Sequence, residues 1–298
     1  MMKSADISIM QSAGKNKSRS KKPMGRKVCF SLRIFGYAAT ALALISLVAI
    51  IIYVLVNGVD KISLSLLFGN GKHAPSILPA MIGTLELIAI SMIISVPLGI
   101  GTAIFLTEYS NRKGKAVKVI RVATETLAGI PSIVYGLFGY LIFVVAFGMG
   151  YTILGGGITL AIMVLPVIVR STEESLLSVQ PGLREGAYAL GTSKYRTIFR
   201  VVLPSCSGGI VTAIILAVGR VISESAVLIL TVGMVVNKIP KGIMSPGTSL
   251  ALDIYYFASH GYPDEAAATS VVLMIFVLAI NLLAVLLGKM IKRKTGEK

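Results

Sequence analysis

The chain has 298 residues, of which 55% are hydrophobic and only 14% charged, with a mean hydropathy of +0.83. A soluble domain of this size carries about a quarter charged residues, so the composition excludes a soluble fold and indicates an integral membrane protein. The formal net charge of +16 would suit nucleic acid in a soluble chain; here its distribution along the sequence assigns it to membrane topology. A bilayer core takes about 20 apolar residues per helix, open sheet edges cannot be satisfied in lipid, and no alternating apolar–polar pattern is present. The expected class is all-α.

Residues 1–33 are polar and basic and read as a cytoplasmic tail with no packed core of its own. It is too long for the charged start of a signal peptide, and no small-residue cleavage site follows, so the first apolar run, 34–56, is expected to be retained as the first transmembrane helix. Asn57 to Pro79 is an expected external loop. The second span is expected over Leu78 to Thr107, interrupted at Pro97-Leu98-Gly99. A basic loop follows with Arg112, Lys113, Lys115, Lys118 and Arg121. Thr126 to Val169 carries no charge before Arg170 and is long enough for two spans, Leu127 to Phe147 and Gly157 to Leu177, joined by a glycine-rich hairpin from Gly148 to Gly157. The fifth span is expected over Ser207 to Val236. A loop then runs from Asn237 to Glu265, with a short amphipathic piece at Leu250 to Tyr256, before the sixth span, Ala266 to Leu287. A basic tail, 289–298, ends the chain.

On this threading, 24 of the 29 Lys and Arg residues fall on one side, four fall on the other (Lys61, Lys72, Lys238, Lys241), and Arg220 is left inside a span. The positive-inside rule then places both termini and the 183–204 loop in the cytoplasm.

That loop, LREGAYALGTSKYRTIFRVVLP from Leu183 to Pro204, is the longest polar-rich stretch between two apolar runs. Leu183, Ala187 and Leu190 fall at i, i+4 and i+7, one face of a first short helix. Gly191 stops it, Thr192 or Ser193 caps a second helix, and Tyr195, Ile198, Phe199 and Val202 form that helix's apolar side. A DNA-reading helix-turn-helix has similar spacing but needs a soluble three-helix core, which two flanking spans exclude. The run Glu185-Gly186-Ala187, three residues, Gly191, nine residues, Val201, Val202, Leu203-Pro204 resembles the EAA loop of ABC importer permeases. It departs from that pattern at Gly186 for Ala and Val201 for Ile. The resemblance implies a type I ABC importer transmembrane domain over 79–288, with six transmembrane helices. It also implies that Glu185, Ala187, Gly191, Leu203 and Pro204 belong to the coupling element that docks into a separate ATPase subunit.

Arg220 sits well inside the fifth span, about 24 Å along a helix from Pro204. A charge there costs about 2.5–3.5 kcal/mol on insertion scales and faces the bundle interior or a wet cavity. Glu224 lies four residues on, so the two can pair on one helix face; pairing alone and a role on a substrate path are both open. The segment Thr126 to Gly139, with Ile130-Pro131-Ser132, and the run Gly219-Arg220-Val221-Ile222-Ser223-Glu224-Ser225-Ala226 resemble the third and fifth spans of phosphate-specific (Pst) permease subunits. Ser223 replaces a glycine of that pattern. The match is closer to the A-type than to the homologous C-type subunit.

This resemblance implies import of inorganic phosphate across a bacterial cytoplasmic (inner) membrane. Arg220, Glu224, Ser132 and Ser223 would line the path, since a guanidinium offers planar, bidentate donors to an oxyanion. It implies, as partners of this chain, a homologous permease in a heterodimer, two ATP-binding subunits, an external phosphate-binding protein and membrane lipid, and no nucleic acid. The chain has no GxxxxGK[ST] phosphate loop, so no catalytic residue, cofactor or metal is expected in it; ATP and Mg belong to the partner ATPase. Cys29 and Cys206 imply no disulfide framework. A permease for another oxyanion remains open, as does, in a different class, an ion-coupled carrier or channel. A carrier would ordinarily bring acidic or histidine relays into its spans, and only the Arg220–Glu224 turn is available.

Overall fold

The computed structural model describes residues 26–69, 76–110 and 114–295. Most of the basic N-terminal tail, together with Lys72, Arg112, Lys113 and Lys298, lies outside the described residues. Every described regular element is helical, and these residues divide after Tyr53 into two units. The first unit is most of α1 (Arg26–Gly58), a continuous helix that starts before and ends after the expected 34–56 span. Its side chains are exposed from Phe30 to Tyr53. Its 33 residues reach about 50 Å at 1.5 Å per residue, more than the roughly 30 Å of a hydrocarbon core.

In the second unit, a short helix α2 (Leu64–Phe68) precedes α3, which runs unbroken from Leu78 to Tyr109 and ends in a wider π turn from Phe105. Pro97 was expected to interrupt it; the helix passes through Pro97 without a break. Next come α4 (Lys115–Gly129) and α5 (Ser132–Ala146), bent by 102° at Ile130-Pro131. The expected span Leu127–Phe147 is therefore too long at its start: Leu127 to Gly129 close the amphipathic α4, and the apolar helix begins at Ser132. Proline lacks an N–H and pushes the residue before it out of the α region, and Ile130 is accordingly extended at ψ 131°.

Helix α6 (Ile153–Ser178) begins four residues before the expected Gly157. Thr152 caps it by accepting from Gly155 N at 3.1 Å, and Gly155 to Gly157 are buried helix residues rather than a turn. The turn itself is made by Gly148 and Gly150, at φ +64° and +67°. Then follow α7 (Pro181–Ala189), α8 (Lys194–Ser205), and α9 (Ser207–Ser223), bent by 69° from α8. Helices α10 (Ala226–Thr231), α11 (Leu250–Ser259) and α12 (Pro263–Thr295) complete the unit. Among the described residues, four helices are long and apolar enough to cross a bilayer, and the two bent pairs bring the number to six if each counts as one span.

Close approaches fix the relative directions. A Cβ on Gly99 would meet Ile168, and one on Gly157 would meet Ile90, so α3 and α6 run parallel. Gly136 faces Val227 and Gly139 faces Thr231, so α5 runs parallel to α10. Gly209 at the start of α9 faces Ser175 near the end of α6, and Gly288 of α12 faces Val211. The ends at Tyr109, Ser178, Ser207 and Gly288 thus share one side of the unit, and the 183–204 hairpin belongs to that side. Small residues let these backbones approach, which is how helices associate in lipid.

The opposite side is closed by the connection from Val232 to Ser249, which is irregular yet paired. Its carbonyls take up the free N–H groups of the first turn of α6: Ile153 N donates to Ser245 O (3.1 Å) and Leu154 N to Ile243 O (2.8 Å). Asn237, at φ +68°, accepts from Ser76 N at 2.8 Å, and Thr84 Oγ1 accepts from Leu250 N at 3.0 Å. Thr248 Oγ1 donates to Asp253 Oδ1. Asp253 is fully buried, and its second oxygen has no partner among the described residues. Burial pushes its carboxyl up to about 7, against the weaker opposing effect of the Thr248 hydrogen bond.

A carboxyl raised in the folded state binds its proton more tightly than in the unfolded chain. Stability therefore falls as pH rises from about 4, the unfolded value, through about 7. We expect the thermal midpoint of the detergent-purified protein to rise on acidification from pH 8 to pH 5.5, and Asp253→Asn to flatten that dependence. An equal slope in the Asn variant would assign the effect to other groups.

Candidate functional site

Two regions hold the residues that sequence spacing singled out. The first is built on interrupted helices. Helix α9 was expected to continue through Val236, with Glu224 one turn beyond Arg220. Instead it ends at Ser223, Glu224 is extended at ψ 124°, and α10 starts at Ala226. Polar side chains here compete with the helical ladder. Ser223 Oγ donates back to Gly219 O (3.1 Å) and Arg220 O (3.2 Å), while Glu224 Oε1 accepts from Val227 N (3.4 Å) and so caps the next helix. Glu224 is thus engaged with backbone rather than with Arg220.

Arg220 is half-buried about 20 Å along α9, and its guanidinium makes no hydrogen bond or ion pair among the described residues. Its charge reaches the Tyr135 hydroxyl. Because α5 and α10 run parallel, with Gly136 facing Val227, the first turn of α5 lies at the level of the Ser223–Ser225 break. Ser132, Arg220, Ser223 and Glu224 are therefore brought to one level. Ser132 is half-buried, with no hydrogen bond from its hydroxyl among the described residues, and Ser223 is exposed.

Tyr135 was not singled out from sequence. Its hydroxyl donates to Leu127 O at 2.7 Å, a carbonyl that also accepts from Ile130 N at 3.2 Å, and so clasps the 102° bend. A tyrosine eight residues from that carbonyl gives no periodic signal, because the bend that joins them is not helical.

The second region is the hairpin of α7 and α8. Gly191 turns at φ +75° with open space about its Cα; a β-branched side chain there would be strained by the backbone alone. Ser193 is the cap, accepting from Arg196 N at 3.5 Å. Thr192 instead donates to Ala187 O at 2.7 Å and pairs with Thr197 Oγ1 at 2.8 Å.

The expected single apolar side of α8 divides in two. Ile198 and Val202 are buried against Ala103, Ile104, Leu176 and Val179, with Leu203 beside them. Tyr195 and Phe199 stay exposed and pack on each other, ring centroids 4.5 Å apart. Leu190 at the hairpin tip is 85% exposed, Glu185 is exposed without an ion pair, and Pro204 is half-buried where α8 bends into α9. Such an exposed apolar tip on a rigid base marks an interaction surface rather than a folding core.

Residues 95–297 match the family described as binding-protein-dependent transport system inner membrane component. A probable ABC transporter permease protein of Bacillus subtilis strain 168, YqgI, is 36% identical over 292 residues, spanning 91% of this chain and 99% of that one. The phosphate transport system permease protein PstA of Mycobacterium leprae is 33% identical over 216 residues, 71% of this chain and 70% of that one. Among solved structures, a chain of a bacterial alginate ABC transporter has a TM-score of 0.67 at 16% identity, covering 89% of this chain and 96% of its own. A chain of the MetNI methionine ABC transporter has a TM-score of 0.55 at 19% identity, covering 74% and 94%. These two likenesses establish the fold alone.

Removing the Tyr135 hydroxyl leaves Leu127 O with only the longer bond from Ile130 N, and loses one hydrogen bond of about 1 kcal/mol. We expect Tyr135→Phe to lower the thermal midpoint measurably in detergent, and an unchanged midpoint would show that the bend does not depend on this clasp.

Proposed function

The chain belongs to the family of inner membrane components of binding-protein-dependent transport systems, and from that premise we propose that it is one permease subunit of an ATP-driven importer of inorganic phosphate. The phosphate transport permeases among its relatives support the substrate, at 33% identity in Mycobacterium leprae and 35% in Xylella fastidiosa. The observation that carries the reading is Arg220, a half-buried guanidinium without an ion pair among the described residues, set within a span beside two helix breaks. An unpaired charge inside a membrane bundle needs a partner or water, and a planar fork of donors matches a phosphate oxyanion.

On this reading Ser132 and Ser223 add hydroxyls to the path. Glu224 across the break limits how tightly an anion is held, so that it can leave inward. The hairpin side carries most of the basic residues and faces the cytoplasm, which puts both termini inside. The α7–α8 tip, with Leu190, Tyr195, Phe199 and Glu185, docks on an ATP-binding subunit, while Ala187, Gly191, Leu203 and Pro204 hold its shape. The complete transporter contains a homologous permease, two ATP-binding subunits that hold ATP and Mg, and an external phosphate-binding protein. This chain performs no covalent chemistry; ATP binding and hydrolysis change the relative tilt of the two permeases and expose the path to alternate sides.

Since Arg220 leaves no protein partner behind, Arg220→Gln should assemble normally. We expect radiolabelled phosphate uptake per assembled complex to fall at least tenfold, with Arg220→Lys intermediate because it keeps the charge and loses the fork. Near-normal uptake by the Gln variant would make Arg220 a structural residue and remove the carrying observation.

A further inference from the structure

The residue next to Glu185 faces the other way. Arg184 turns into the protein, its side chain 18% exposed, and meets Glu108, whose side chain is 8% exposed. Its Nε and Nη2 both donate to Glu108 Oε1, at 3.0 and 2.8 Å. Nη1 donates to Val179 O at 2.9 Å, and Nη2 donates also to Leu176 O at 2.8 Å. These four bonds join three elements. Arg184 belongs to α7, Glu108 to the last turn of α3, and Leu176 and Val179 to the end of α6. The last carbonyls of a helix have no intrahelical donors and carry its partial negative charge, so the guanidinium satisfies both electrostatics and hydrogen bonding there.

A second contact repeats the connection. Lys194 Nζ, at the start of α8, lies 4.9 Å from the centre of the Tyr109 ring, within range of a cation–π attraction. Beneath both, Ile198 and Val202 of α8 share one buried cluster with Ala103 and Ile104 of α3 and with Leu176 and Val179 of α6. Above, α3 and α6 are the most extensively packed pair of helices in the second unit. The hairpin base is thus fastened to one parallel pair of spans, while its tip, from Tyr188 to Tyr195, is largely exposed.

We propose that Arg184 is the positioning residue that makes the hairpin and the α3–α6 pair move as one body, so that displacement of the hairpin by an ATP-binding subunit becomes displacement of two spans. The proposal rests on the permease reading above. A hydrophobic cluster alone can slip by a side chain; a planar guanidinium with four directed bonds to two helix ends cannot do so without breaking them. Removing one partner of a buried pair leaves the other charge uncompensated, so the tie resists partial opening.

The test uses the complete transporter in proteoliposomes and reads phosphate imported per ATP hydrolysed. We expect Arg184→Gln to keep ATP hydrolysis and lower that ratio severalfold, and Arg184→Lys to fall between, since an ammonium cannot reach the carboxylate and both carbonyls with one planar fork. A residue that only supports folding would lower hydrolysis and import together at a constant ratio, and an unchanged ratio in either variant would overturn the proposal. Should the variants fail to assemble, hydrogen exchange of the wild-type complex decides. Adding ATP should change exchange in 103–109 together with 181–189, and a change confined to 181–189 overturns the tie. Failure of the wild-type complex to import phosphate at all would instead count against the proposed function.

Discussion

A bilayer offers no water to a backbone N–H or C=O that its own helix leaves free, and the rest of this structure depends on how that constraint is met. Each interruption of an apolar helix is closed by a specific donor or acceptor. At Ile130-Pro131 the closing groups are the Tyr135 hydroxyl and Ile130 N, both donating to Leu127 O. At Glu224-Ser225 it is the Glu224 carboxylate on Val227 N. At the start of α6 it is the pair of carbonyls from Ser245 and Ile243, and at its end it is Arg184 on Leu176 O and Val179 O. Irregular backbone at membrane depth is tolerated where protein surrounds it or a cavity wets it.

The two interior breaks fall on other helices than the long pair α3 and α6. Helices α3 and α6 are long and continuous, and they are locked side by side through glycines that a methyl group would displace, Gly99 against Ile168 and Gly157 against Ile90. Helices α5, α9 and α10 hold the breaks and Arg220. The hairpin is fastened to the first set by Arg184, Lys194 and the Ile198–Val202 cluster. A stiff pair that takes up displacement next to a broken set that forms a path is a workable division for alternating access. Packed interfaces switch between discrete arrangements instead of bending continuously.

Much of this was legible in sequence, for identifiable reasons. The long helices fall on long apolar runs, and in the second unit the glycine contacts bring the ends at Tyr109, Ser178, Ser207 and Gly288 to one side. The hairpin followed from the Glu185-to-Pro204 spacing, and its turn falls at Gly191 as expected, at φ +75°. What escaped was set by contacts distant in sequence. Gly155 to Gly157 read as a turn because glycine serves both turns and close packing, and only Thr152 as a cap decides between them. Arg184 entered only the count of basic residues, because its partner Glu108 lies 76 residues away in sequence. Arg220 and Glu224 fit a helical pair by spacing, but Ser223, Glu224 and Ser225 together end the helix between them. Pro131 lay inside the expected span Leu127–Phe147, and the uncharged run around it concealed that the helix before it is amphipathic and turns away by 102°.

The central claim is that the level of Arg220, Ser132 and Ser223 is a water-accessible anion path. The most direct test measures modification of single cysteines at Ser132 and Ser223 by a small, water-soluble methanethiosulfonate, in assembled transporter lacking Cys29 and Cys206. The account predicts that both positions react, and that saturating inorganic phosphate slows the reaction at both while an equal concentration of chloride does not. Cysteines that stay unreactive, or that react at a rate phosphate leaves unchanged, would contradict it.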